Sequence, residues 1–298
     1  MAILIDKNTT VLIQGITGGE GRKALERMKD YHTRVLCGVT PGKGGQEVDG
    51  TPVYNSVREA LEKHKVNASL IMVPPLAAKG AVLEALDAGL RTIVCVTENI
   101  PLADAAVMVR RAREVGAVLI GPGSVGVMSP GLGRMGPIGG PRDVLERVYE
   151  KGNVGVISKS GGMTNEVSFV VRQAGLGQST AIGMGGEMLV GSAYADLLRL
   201  FEKDDETKAV VLFGELGGTY EEEVARLLKN KEFTKPLIVF IAGKFAERIA
   251  PGQQFGHAGA MIERGKGKPS EKMRMLKSAG AIVAERFEDI GLLVRDAL

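Results

Sequence analysis

Short β-branched runs alternate with longer amphipathic stretches along almost the whole chain. In the first half, VLIQG (11–15), RVLCGV (34–39), ASLIMVP (68–74), TIVCVT (92–97) and AVLIG (117–121) read as strands. RKALERMKD (22–30), SVREALEKH (56–64), AKGAVLEALDAG (78–89) and LADAAVMVRRAREVG (102–116) carry the apolar period of helices. Strands that are apolar throughout, rather than alternating, predict a parallel sheet covered on both faces. That pattern is Rossmann-like. A Gly- and Pro-rich stretch at 121–141 reads as the interdomain crossing. A second series follows, with strands NVGVISKS (153–160), STAIGM (179–184), AVVLFGE (209–215), PLIVFIAG (236–243) and AIVAE (281–285). Its helices include MTNEVSFVVRQAG (163–175), SAYADLLRLFEK (192–203) and YEEEVARLLKN (220–230). The expected architecture is α/β: a Rossmann-like domain over 1–128 and a flavodoxin-like parallel-sheet domain over 129–298.

Composition adds one strong feature. Of 298 residues, 41 are glycine, about twice the usual share, without the period of a fibrous protein. Nearly every predicted strand ends in a glycine-rich or polar turn, where ligands of such sheets bind. The formal charge of +3, with both signs interspersed and 13 aromatics (8 Phe, 5 Tyr), gives nucleic-acid binding little support. No apolar run is long enough to span a membrane. Cys37 and Cys95 sit inside apolar runs, as reduced thiols of a cytoplasmic protein do.

Two groups of loops carry candidate chemistry. After the first strand, Gly15-Ile16-Thr17-Gly18-Gly19-Glu20-Gly21 runs into a helix whose free N–H groups suit phosphate, although a merely tight turn gives the same spacing. The second strand ends in Val39-Thr40-Pro41-Gly42-Lys43-Gly44-Gly45, not in the acidic residue that would hold an NAD ribose. A phosphorylated nucleotide other than NAD is favoured. In the second half, Ser158-Lys159-Ser160-Gly161-Gly162 ends a strand and opens a helix, while Gly214-Glu215-Leu216 presents a carboxylate. Of the three histidines, His32 and His64 read as solvated surface. His257 lies between small residues, in Gln254-Phe255-Gly256-His257-Ala258-Gly259-Ala260, which would leave its ring accessible from both sides. Spacing alone leaves a structural role for it open. An imidazole, an orienting carboxylate and a helix dipole would together make a phosphoryl-carrying histidine. No Cys/His cluster has metal-ligand spacing, and no Walker lysine–serine pair occurs.

These motifs resemble, in order and along almost the whole length, the α subunits of the succinyl-CoA synthetase family of ADP-forming acyl-CoA ligases. The landmarks are ILIDKNT (3–9), QGITGGEG (14–21), GVTPGKGG (38–45), VTENIP (96–101), IGPGSVG (120–126), SKSGGMTNE (158–166), GELGG (214–218) and GHAGA (256–260). The resemblance implies a coenzyme A site at Thr17, Gly18, Gly19, Glu20, Lys43, Val96, Thr97 and Glu98. It implies a phosphohistidine at His257 oriented by Glu215, and anion binding at Ser160, Gly161 and Gly162. It also implies that ATP and Mg are bound mainly by a separate ATP-grasp β subunit. Two loops depart from the succinyl-CoA synthetase pattern. GPGSVG replaces GPNCPG, and SGGMTNE replaces SGTLTYE; both are similar to ATP-citrate lyase. Gly123, Ser124 and Asn165 join the expected substrate-binding set, with Gly162 giving room and Asn165 an amide beside the acyl site. Because the chain stops at Leu298, without a cleavage module, the resemblance points to the small subunit of a citryl-CoA synthetase. Cleavage would then fall to a separate citryl-CoA lyase. Succinate or malate as the acid is the near alternative; a non-catalytic CoA-binding regulator is the distant one, against which the Glu215 and His257 pair argues.

Overall fold

The computed structural model describes residues 3–248, 257, 262 and 267–298. Two seven-stranded sheets follow one another along the chain. The first contains β1 (Thr10–Gln14), β2 (Arg34–Val39), β3 (Glu47–Val48), β4 (Thr51–Tyr54), β5 (Ala68–Ile71), β6 (Thr92–Cys95) and β7 (Val118–Ile120). Its order is β3-β4-β2-β1-β5-β6-β7, parallel except for β3. Without β3, the strands take the 3-2-1-4-5-6 order of a dinucleotide-type sheet, with its switch point between β1 and β5. Helices α1 (Gly19–Asp30), α2 (Val57–Lys63), α3 (Pro75–Asp87) and α4 (Leu102–Glu114) cover the faces. This is why β1 and β5 are buried at every position.

The second sheet contains β8 (Gly126–Ser129), β9 (Gly133–Met135), β10 (Lys151–Ser158), β11 (Gln178–Gly183), β12 (Ala209–Gly214), β13 (Leu237–Ile241) and β14 (Ile282–Val283). Its order is β14-β13-β12-β10-β11-β8-β9. The five strands from β10 onward are parallel in flavodoxin-like order, with their switch point between β10 and β12. Helices α5 (Arg142–Val148), α6 (Gly161–Gln173), α7 (Tyr194–Glu202), α8 (Tyr220–Lys229), α9 (Pro269–Ser278) and α10 (Ile290–Ala297) complete the domain.

The stretch 121–141 is more than a crossing. It contains the β8–β9 hairpin, which pairs antiparallel with β11 and makes the second sheet mixed rather than purely parallel. Sheet membership changes between Ile120 and Gly126, so the expected cut at 128/129 falls inside β8. The small β3–β4 hairpin also goes beyond the periodic reading. It turns through Asp49 and Gly50, both in the left-handed region with φ of 48° and 70°, as a two-residue hairpin connection requires.

The two domains share one interior. A continuous apolar cluster runs from Ile13 and Leu70 through Ile120 and Val127 to Ile157 and Leu197. Arg134 on β9 is 1% exposed and has no carboxylate partner among the described residues. Its guanidinium donates instead to the carbonyls of Arg27 in the first domain (2.8 Å) and of Ile138 and Gly140 in the second. Burial lowers its pKa to about 10. Thr33 adds a reciprocal pair, its hydroxyl donating to the Arg134 carbonyl at 2.7 Å and accepting from the Arg134 amide at 2.9 Å. The angle between the domains is therefore set by packing and buried hydrogen bonds.

Both cysteines are buried and free. Cys37 on β2 and Cys95 on β6 are separated by β1 and β5, roughly 14 Å at the usual strand spacing, too far for a disulfide. Burial pushes each thiol up to about 12. Neither thiol of the native protein is expected to react with iodoacetamide at pH 8, and both are expected to react in urea. Rapid labelling of either one in the native state would contradict this packing.

Candidate functional site

The first group of loops gathers at the switch point of the first sheet. Gly18 is the N-cap of α1, and the first intrahelical bond runs from Arg22 N–H to the Gly18 carbonyl. The N–H groups of Gly19, Glu20 and Gly21 precede that bond and are available to an anion. Gly21 is required by close approach, since a Cβ there would collide with the Gly15 carbonyl across the turn. The Thr17 hydroxyl donates to that of Thr40 at 3.2 Å, joining this turn to the loop that carries Lys43. Asn55 Oδ1 braces the same loop by accepting from the amides of Gly42 (2.9 Å) and Gly44 (3.0 Å). Lys43 is exposed, and its ammonium has no partner among the described residues. Glu20 differs from its neighbours. Its carboxylate is bonded to Lys23 at 2.8 Å, which lowers its pKa, so only its backbone N–H suits a phosphate. Val96, Thr97 and Glu98 follow β6; the Thr97 hydroxyl donates to the Val73 carbonyl, in the turn after β5, at 2.7 Å.

The second group converges at the other switch point. Glu215 leaves β12 and Lys159 leaves the adjacent β10, so parallel pairing alone brings them together. The Lys159 ammonium lies 3.0 Å from Glu215 Oε1, and His257 Nδ1 lies 2.7 Å from Oε2. Burial raises the Glu215 pKa, but the His257 hydrogen bond and the Lys159 charge outweigh it, and the net shift is downward. An ionised carboxylate only accepts hydrogen bonds, so Nδ1 carries the proton and Nε2 is left as the free nitrogen. The hydrogen bond to Glu215 also raises the His257 pKa, against burial and the Lys159 charge. The ring rests on bare backbone: a Cβ on Gly186 would lie 2.6 Å from His257 Cδ2. The residues flanking His257, on which the expected two-sided access rests, lie outside the described residues.

A second buried cation fixes the Glu215 loop from below. Lys272 on α9 is 5% exposed; its ammonium donates to the Glu215 carbonyl (2.8 Å), to the Gly217 carbonyl and to Glu221 Oε2 (2.7 Å). His257 opens onto a cavity of about 400 Å³. Ser160, Gly161 and Gly162 line one side, and Glu98, Asn99 and Gly123 another, with Gly186 and Glu187 beside the ring. The N–H groups of Gly161, Gly162 and Met163 precede the first intrahelical bond of α6, from Thr164 N–H to the Ser160 carbonyl. The ring of His257 thus shares a cavity with the positive end of a 13-residue helix.

Two expected substrate-binding residues are engaged elsewhere. Ser124 is 2% exposed; its hydroxyl donates to the Gly183 carbonyl at 2.6 Å and accepts from the Gly126 amide at 2.8 Å, pinning the entry to β8. Asn165 does not line the cavity. Its Oδ1 accepts from Tyr149 Oη at 2.7 Å and from the Gly139 amide at 3.2 Å, tying α6 to α5 and the loop before it. His64 is only partly exposed, with Nε2 2.8 Å from Tyr54 Oη, while His32 is exposed as expected. Sequence reasoning gave no role to Lys159, Gly186, Glu187 or Lys272. Lys159 lies in the loop already notable for SKSGG, and Gly186 and Glu187 in the glycine-rich turn GMGGE (183–187) after β11. Lys272 carries no such signal, because nothing in PSEKMRMLK marks which lysine faces inward.

Among the described residues, no group of three or more His, Cys, Asp or Glu is placed to hold a metal ion, and no helix is long and apolar enough to cross a membrane. The family profile described as a CoA binding domain matches residues 6–99, and the one described as CoA-ligase matches 157–282. The chain is 47% identical over 296 residues to an ADP-forming sulfoacetate-CoA ligase subunit of an Acholeplasma species, covering 99% of this chain and 98% of that one. It is also 47% identical over 298 residues to the ADP-forming succinate–CoA ligase subunit alpha 1 of Archaeoglobus fulgidus, covering 100% and 99%. Among solved structures, ATP citrate lyase from Methanothrix soehngenii in complex with citrate and coenzyme A superposes with a TM-score of 0.93 at 28% identity. That match covers 99% of this chain, which spans 50% of the lyase chain.

Because the folded-state pKa of His257 is raised, its contribution to stability is complete below the ordinary imidazole range and is lost as pH rises through the raised value. Glu215 is the reverse case, losing its contribution as pH falls through its lowered value. Glu215→Gln is expected to move the His257 titration midpoint, read from its ring proton shifts, to lower pH. An unchanged midpoint would contradict the assigned bond.

Proposed function

This chain belongs to the CoA-ligase family of ADP-forming acyl-CoA ligase α subunits, and from that premise we propose that it activates a small polyanionic acid through a phosphorylated His257. The observation that carries the reading is the 2.7 Å Glu215–His257 bond at a cavity shared with the N-terminus of α6. With Nδ1–H committed to Glu215, Nε2 attacks the γ-phosphorus of ATP; the P–N bond forms as the bond to ADP breaks. A carboxylate oxygen of the acid then attacks the same phosphorus, giving an acyl phosphate and returning the electron pair to Nε2. The thiolate of coenzyme A adds to the acyl carbon, and inorganic phosphate leaves. The N–H groups of Gly161, Gly162 and Met163 hold the transferring oxyanions, where prepositioned dipoles lower a barrier most. Coenzyme A is assigned to the turn Thr17–Glu20, to Lys43 and to Val96–Glu98. MgATP is assigned to a β subunit, as the relatives' names as subunits suggest.

For the acid, citrate is the first reading. Its support is the likeness of GPGSVG and SGGMTNE to ATP-citrate lyase, together with Gly162, where an added Cβ would meet nothing within 4 Å. The open space beside the α6 N-terminus suits an acid bulkier than a straight-chain one. The amide of Asn165 is no longer part of that case, because its carbonyl is held by Tyr149. The 47%-identical relatives favour the second reading, a two-anion acid such as succinate or sulfoacetate.

Co-expression with the β subunit, followed by assay of ADP and acyl-CoA across citrate, succinate, malate and sulfoacetate, tests both levels. Turnover that needs ATP, CoA and one of these acids, and that is lost in His257→Asn, is expected; turnover retained by His257→Asn would refute the mechanism. Succinate or sulfoacetate turnover without citrate turnover would replace the first reading by the second. Gly162→Thr is expected to lower kcat/KM for citrate about tenfold relative to succinate.

A further inference from the structure

One side chain joins the two halves of the cavity. Glu187 follows Gly186, on whose backbone the His257 ring rests. Its Oε1 accepts the Asn99 N–H at 2.6 Å, across the domain boundary. Asn99 directly follows Glu98, the last residue assigned to coenzyme A, and holds the left-handed conformation with φ of 58°. That conformation is uncommon for a residue with a side chain and persists where its surroundings hold it. The stem of Glu187 passes close to Gly123, where an added Cβ would stand 3.0 Å from its Cγ. Gly123 in turn donates its N–H to the Thr97 carbonyl at 2.9 Å. The segment Thr97–Asn99 is thus bonded twice, once to Gly123 in the crossing between the sheets and once to the Glu187 carboxylate of the second domain.

We propose that Glu187 is a positioning residue that holds the Thr97–Asn99 segment in register with His257, so that bound coenzyme A presents its thiol to the acyl phosphate formed there. The inference rests on the function proposed above. It adds that one carboxylate, outside the CoA loops and outside the Glu215–His257 pair, sets the geometry between the two half-reactions. A purely repulsive role is the opposite expectation, since Glu187 also lines a cavity for anions. The hydrogen bond to a main-chain N–H distinguishes the two, because glutamine keeps the acceptor oxygen and loses the charge.

The αβ complex of wild type, Glu187→Ala and Glu187→Gln is the test, with CoA affinity read by calorimetry and phosphohistidine formation from labelled ATP read separately. Glu187→Ala is expected to weaken CoA binding about tenfold, the usual scale for losing a charge-assisted hydrogen bond. Phosphohistidine formation should change much less, which also reports that the variant is folded. Glu187→Gln should restore most of the CoA affinity. Unchanged CoA affinity in Glu187→Ala, equal losses in both measurements, or CoA binding that tightens in both variants would overturn the proposal. Failure of the wild type to form phosphohistidine would overturn the proposed function instead, and calorimetry would still read the Glu187 effect on CoA.

Discussion

A buried carboxylate sets the terms for the rest of this molecule. Glu215 is 8% exposed, and an unpaired charge in such a place costs several kcal/mol. Its two oxygens are therefore met by two cationic or proton-bearing partners, Lys159 and His257. That requirement fixes where the site lies. Lys159 and Glu215 leave adjacent parallel strands at the switch point of the second sheet, the one edge position where neighbouring loops diverge and leave space above them. Lys272, paired in the interior with Glu221, donates to the Glu215 and Gly217 carbonyls and keeps the loop at that height.

The second constraint is the fixed approach of the domains. The proposed function places coenzyme A and the phosphorylated histidine on different sheets, and it requires their loops to face each other. The shared apolar interior and the Arg134–Thr33 bonds set this angle far from the cavity. At the cavity itself, Glu187 and Gly123 make the fine adjustment.

Much of the fold was legible because parallel strands buried on both faces leave an unmistakable run. RVLCGV is read with the same bounds the structure gives it, and the other strands read from the sequence differ by at most three residues at either end. The hairpins β3–β4 and β8–β9 were not legible. Their strands are two to four residues long and lie among turn residues, so neither periodicity nor length marks them. In the site, residue type and loop position marked Glu215 and His257 as candidates, the family resemblance paired them, and the structure places them 2.7 Å apart. What sequence does not carry is which way a polar side chain turns. Ser124 and Asn165 stand in the right loops, yet their oxygens satisfy local backbone and Tyr149. Lys159 and Lys272 read as ordinary charges until burial shows them facing inward.

The proposed chemistry turns on one nitrogen. In the proposed mechanism Glu215 holds Nδ1–H, so phosphate transferred from ATP would reside on Nε2 of His257. Phosphorus NMR of the αβ complex, after incubation with ATP and removal of nucleotide, reads this directly. The predicted result is a single acid-labile resonance of Nε2-linked phosphohistidine that disappears on adding the acid substrate and CoA. A phosphoryl group on Nδ1, or on a residue other than His257, would contradict it.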